Sequence, residues 1–138
     1  LLADTKLAPE LSNEAHYYRA KAYLDAGKTD GAMEDLKILA KDTRNVYGAE
    51  AKYKVAQIYF DGGQTDKAEQ EVLNYIEVST PHTYWLARSF VLLADVYMKL
   101  GRNLDAKQYL LSLKQNYQAD DDIAGMIESR LEKLKTEN

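Results

Sequence analysis

The 138-residue chain is 46% hydrophobic with only two prolines, enough apolar material for a continuous core in one domain of ordinary size. A formal charge of -4 and a pI near 5.2, with Lys and Arg interspersed among Asp and Glu, exclude the clustered basic surface that nucleic acid requires. No apolar run approaches the roughly 18 to 20 residues that span a bilayer, and zero cysteines exclude disulfides, thiolate nucleophiles and sulfur-ligated metals.

The chain opens at Leu1 without an initiator methionine or a signal pattern, so it reads as a processed product or an excised fragment. Residues 1–12 read as an N-terminal extension or the tail of a preceding unit. Helical periodicity then sets in, with Tyr17, Ala20, Tyr23 and Leu24 recurring at threes and fours, and predicts a helix near 13–26. Gly27 closes it, because a residue without Cβ takes the left-handed conformation of a helix C-terminus. Thr29 suits the N-cap of a second helix near 29–41, whose Ala32, Leu36 and Leu39 share one face.

The same sentence is then repeated. A helix near 48–61 carries Tyr53, Ala56, Tyr59 and Phe60, stops at Gly63, and restarts from Thr65 as a helix near 65–78 with Ala68, Val72 and Ile76. A helix near 81–100 follows, with Thr80 as its cap and Pro81 in its first turn, where a missing amide hydrogen costs little. Gly101 ends it and Asn103 caps the next, near 103–117, with Ala106, Leu110 and Leu113. Asp120, Asp121 and Asp122 precede an apolar stripe of Ile123, Ile127, Leu131 and Leu134, a capping helix near 122–135. Carboxylates are stabilised at such an N-terminus, and Gly125 stands at the wrong offset for a calcium loop.

The repeated set is Ala20, Tyr23, Gly27, Ala32, Leu36, then Ala56, Tyr59, Gly63, Ala68, Val72, then Ala94, Tyr97, Gly101, Ala106, Leu110. Copies 36 and 38 residues apart mark stacked helical hairpins. The alanines let the two helices of a hairpin approach closely while tyrosines and leucines fill the remaining grooves. Each hairpin leaves an apolar face open, so stability accumulates by stacking of units at 13–45, 46–79 and 80–118 with a cap at 119–138.

This spacing of small residue, tyrosine, glycine, alanine and large apolar residue resembles the tetratricopeptide repeat over about Asn13 to Tyr117. The strings NEAHYYRAKAYLDAGKTDGAMEDLKIL and AEAKYKVAQIYFDGGQTDKAEQEVLNYI follow the family pattern nearly throughout, and LARSFVLLADVYMKLGRNLDAKQYLLSL keeps its key positions. The family's tryptophan near the start of the first helix is replaced by His16, Lys52 and Phe90. The resemblance implies an all-α, right-handed superhelical solenoid whose first helices line a concave surface for a peptide or protein, with no catalytic residue. The family's inward positions fall on Tyr17, Tyr18 and Lys21, on Tyr53, Lys54 and Gln57, and on Arg88, Val91, Leu92 and Asp95. Members that grip a chaperone's C-terminal carboxylate use a lysine and asparagine set there. Tyr17, Lys21, Tyr53 and Gln57 stand in those places, so that clamp is not expected.

The string TPHTYWLARSFVLLADVY also resembles a segment of tetratricopeptide proteins of the Gram-negative cell envelope. That likeness implies a periplasmic or outer-membrane-associated protein, with these repeats as the C-terminal part of a longer array.

Other chemistry finds no support in the residues. His16 and His82 lie in different repeats without a carboxylate or cysteine at ligand spacing, and no serine sits in a nucleophile elbow. Gly27, Lys28 and Thr29 imitate only the tail of a phosphate loop, and the second copy reads Gly63, Gln64, Thr65. Tyr23, Tyr59 and Tyr97 hold the repeated core position, Tyr47, Tyr75 and Tyr109 fall at helix contacts or turns, and Trp85 suits the junction of the second and third hairpins. Tyr17, Tyr18 and Tyr53 remain as candidate binding aromatics. The expected function is a scaffold without enzymatic activity, cofactor or metal, holding a protein or peptide on its concave face. The alternative is a structural segment of a longer array, or a self-association module, without a groove of its own.

Overall fold

The computed structural model describes residues 8–136, all of whose regular elements are α-helices: α1 (Ala8–Asp25), α2 (Thr29–Leu39), α3 (Val46–Asp61), α4 (Thr65–Val78), α5 (Thr83–Lys99), α6 (Asn103–Asn116) and α7 (Ile123–Thr136). Consecutive helices pack as the hairpins α1/α2, α3/α4 and α5/α6, each stacked on the one before, with α7 closing the row against α5 and α6. The all-α hairpin solenoid read from the spacing is the fold.

The repeated alanines seal each hairpin. Ala20, Ala32, Ala56, Ala68, Ala94 and Ala106 are all buried, and Leu36, Val72 and Leu110 sit beneath them. Each first helix ends in the same way. The amides of Lys28, Gln64 and Arg102 reach back to the carbonyls of Tyr23, Tyr59 and Tyr97, while Gly27, Gly63 and Gly101 stand at φ of 76°, 80° and 78°. This Schellman closure explains why Thr29, Thr65 and Asn103 are not the caps their chemistry suggests. The turn is so short that the carbonyls of Lys28, Gln64 and Arg102 already accept the first helical bonds, which places the three residues inside their helices.

Two further boundaries differ from expectation. Helix α1 starts at Ala8 rather than near 13, because Pro9 falls in the first turn, where its missing donor is harmless. Residues 8–12 thus belong to the first hairpin, and the proposed tail of a preceding unit lies, for residues 1–7, outside the described residues. Helix α5 starts at Thr83 because Thr80 is used elsewhere. Its hydroxyl donates to the carbonyl of Thr43, while the hydroxyl of Thr43 donates to the carbonyl of Ser79 at 2.7 Å. These reciprocal bonds tie the α2–α3 loop to the α4–α5 loop and hold Ser79 at φ 64°.

The three residues that replace the family's tryptophan each find a partner nineteen residues on, in the second helix of the same hairpin. His16 lies 2.7 Å from Asp35, Lys52 lies 2.9 Å from Glu71, and the rings of Phe90 and Tyr109 lie 6.2 Å apart. One contact point is thus filled by a hydrogen-bonded imidazole, an ion pair and an aromatic pair in turn. In the first hairpin Arg19 joins it, donating to Asp35 through Nε at 2.9 Å and Nη2 at 2.7 Å. Asp35 is 1% exposed, and these bonds satisfy a buried carboxylate that would otherwise be costly.

Stacking between hairpins has its own register. Positions 11, 15, 18 and 22 of α1 correspond to 47, 51, 54 and 58 of α3, to 85, 89, 92 and 96 of α5, and to 123, 127, 130 and 134 of α7. In α5 this stripe includes the buried Ser89, Leu92 and Val96, and in α7 the buried Ile123, Ile127 and Leu134. The last helix therefore stands in phase with the first helices of the three hairpins, at the place of a fourth. Asp121 accepts from the amide of Ile123 at 2.9 Å, the capping role expected of the acidic segment.

Candidate functional site

Since helices α1, α3, α5 and α7 lie side by side, residues one turn away from the stacking stripe share a single face. Of the expected inward positions, Tyr17, Lys21, Tyr53, Gln57, Arg88 and Asp95 lie on it, whereas Tyr18, Lys54 and Leu92 belong to the stripe itself. At the first end the hydroxyl of Tyr17 donates to both carboxylate oxygens of Glu50, at 3.1 and 3.2 Å, and Lys54 reaches the same carboxylate at 2.6 Å. Tyr18 meets the Tyr17 ring edge-on at 5.2 Å, Tyr47 lies 4.8 Å from it, and the Lys21 ammonium stands 5.7 Å from its centroid. Burial, then the Glu50 charge, pushes the Tyr17 phenol up to about 12, so it is a neutral donor and no base at physiological pH. Tyr18 is 60% exposed, the most accessible aromatic of the set.

In the middle, the Tyr53 ring is 7% exposed, and its hydroxyl donates to Gln57 at 2.8 Å and accepts from Arg88 at 3.0 Å. Arg88 also donates to the hydroxyl of Tyr84, which in turn donates to Asp122, both at 2.9 Å. The guanidinium lies over the Tyr53 ring at 4.9 Å, and Trp85 packs 5.7 Å from that ring, as its place at the hairpin junction suggested. Asp95 stands apart from both clusters, held by Arg130 of α7 in a two-point pair at 2.7 and 2.9 Å. Val91 and Leu92 are buried in the stack.

At the C-terminal ends of the first helices this face deepens into a groove of about 570 Å³ between α3, α5 and α7. Phe60 and Met98 supply its apolar surface, the Asp95–Arg130 pair crosses it, and Lys99 and Lys133 stand at its rim. Neither lysine has a carboxylate partner among the described residues. Phe60 and Met98 were invisible as site residues because each reads simply as helix core. Glu50, Tyr84, Asp122 and Arg130 were missed because each is a cross-helix partner, and only the 38-residue register carried into α7 would have placed Arg130 beside Asp95.

Both imidazoles have structural partners. His16 is bound to Asp35, and His82 Nε2 lies 3.0 Å from the carbonyl of Arg44. Among the described residues no group of three or more His, Cys, Asp or Glu could hold a metal ion, and no helix is long and apolar enough to cross a membrane.

Two family models match the chain, each described as a tetratricopeptide repeat, one over residues 14–42 and the other over residues 87–116. These are the hairpins α1/α2 and α5/α6, and α3/α4 between them keeps the same closure and the same buried alanines. A comparison with curated proteins gave no match.

Proposed function

We propose that this chain, which carries tetratricopeptide repeats, works as a non-enzymatic scaffold holding a peptide or protein segment across the face of α1, α3, α5 and α7. Repeats of this kind generally serve protein–protein interaction. The observation that carries the reading is the groove at Phe60 and Met98, where apolar surface is left open beside two lysines that have no carboxylate partner among the described residues. An apolar side chain flanked by carboxylates complements it, the apolar part taking the floor and the acidic part the rim.

The test is selection of binders from a random peptide library, followed by titration against variants. Met98→Glu and the double variant Lys99→Glu/Lys133→Glu should each weaken the selected peptides at least about tenfold, roughly the loss of one buried anchor. Peptides that bind both variants as tightly as the parent would refute the groove. Residence in the bacterial cell envelope belongs to the same proposal, supported by the likeness of TPHTYWLARSFVLLADVY. Recovery of the chain in the cytoplasmic fraction of its host would remove that part.

A further inference from the structure

The stacking stripe is covered in α5 and α7, yet the same register in α1 is open. Leu11 is 46% and Tyr18 60% exposed, and Ala15 and Ala22 between and beyond them are exposed as well. In α3 the counterpart of Ala15 is Ala51, 1% exposed against the hairpin before it. Among the described residues, helix α1 therefore presents uncovered the surface that elsewhere in this molecule is an interface.

We infer that this stripe pairs with the same stripe of a second copy of the chain, the two α1 helices antiparallel about a two-fold axis. Helix α1 runs from Ala8 to Asp25, so an axis between His16 and Tyr17 passes through its midpoint. That axis sets Leu11 opposite Ala22 of the second copy and Ala15 opposite Tyr18, a large residue against a small one at every level. The exposed Glu14 and Lys21 flank the stripe on one side and meet with opposite charge across the axis, twice by symmetry. The interface continues the established stacking surface and needs no residue beyond α1. A single helix pair of about 27 Å is small for a protein interface, so the dimer belongs to high protein concentration.

Sedimentation velocity on the full chain tests it. The expected result is a shift from 15.7 kDa monomer toward twice that mass between about 1 and 500 micromolar, the range of a small interface. Ala15→Glu, at an exposed position, should remain monomeric throughout, whereas Leu111→Glu, on the opposite end of the array, should dimerise like the parent. A monomer at all concentrations, or a dimer lost in Leu111→Glu and kept in Ala15→Glu, overturns the inference. The chain has no cysteine, so cross-linking gives a second readout. A mixture of Leu11→Cys and Ala22→Cys chains should oxidise to the mixed disulfide in excess over either homodimer. Leu11→Cys homodimers in excess would indicate a parallel pairing and contradict it. Neither readout involves the Phe60–Met98 groove, so failure here leaves the proposed function standing.

Discussion

Replacing Asp35 by alanine removes an acceptor that three donors share at 1% exposure: His16 Nδ1 at 2.7 Å, Arg19 Nε at 2.9 Å and Arg19 Nη2 at 2.7 Å. The Arg19 side chain is 53% exposed, so water takes over its donors and their loss adds little. His16 is only 13% exposed and its ring N–H is left without an acceptor, about 1–2 kcal/mol. The expected cost is about 1–2 kcal/mol, a fall in melting temperature of about 4–7 °C for a chain of this size, read by circular dichroism. Acid titration supplies an independent check. The Arg19 hydrogen bonds, aided by His16 and opposed by burial, hold the Asp35 carboxyl below its ordinary range. A depressed value means the stabilisation is complete above the unfolded-state value near pH 4 and is lost as pH falls through the folded value. The gap between the parent and Asp35→Asn should therefore narrow progressively as pH falls below about 5. A variant within about 0.5 kcal/mol of the parent, the ordinary scatter of surface substitutions, or a gap that does not change with pH would show that Asp35 is not such an acceptor.

Three other substitutions probe separate contacts. A Cβ on Gly48 would lie 1.8 Å from the carbonyl oxygen of Asp42 and 2.6 Å from that of Leu39, both backbone, so Gly48→Ala should cost more than about 3 kcal/mol in a chemical denaturation series. Ala56 is 1% exposed between two helices, and Ala56→Leu should cost about 1–3 kcal/mol by overpacking, measured in the same series. Ser79→Gly should raise stability by about 0.5–1 kcal/mol, since φ 64° is strained for serine and free for glycine, with part of the gain offset in the unfolded chain.

The hairpin register was legible because its carriers are extreme residues. Only alanine fits where two helices touch, and only glycine relaxes at the φ of 76° to 80° that closes α1, α3 and α5. Polar partners were not legible. Asp35, Glu71 and Tyr109 differ in chemistry, and their shared role appears only once each is seen against His16, Lys52 and Phe90 across the hairpin. Gly48 escaped notice because its necessity comes from carbonyls in a preceding helix and loop rather than from its own φ. On the candidate face Tyr53 and Asp95 are engaged by Arg88 and Arg130, and the open surface lies at Phe60 and Met98 instead. Which residues share a face follows from periodicity, whereas which of them remain free depends on side chains arriving from other helices.

The most direct test of the account is heteronuclear NMR of the chain titrated with a selected peptide of acidic and apolar side chains. Amide shifts should concentrate in α3, α5 and α7 around Phe60, Met98 and Lys133. Shifts confined to the second helices α2, α4 and α6 would contradict it.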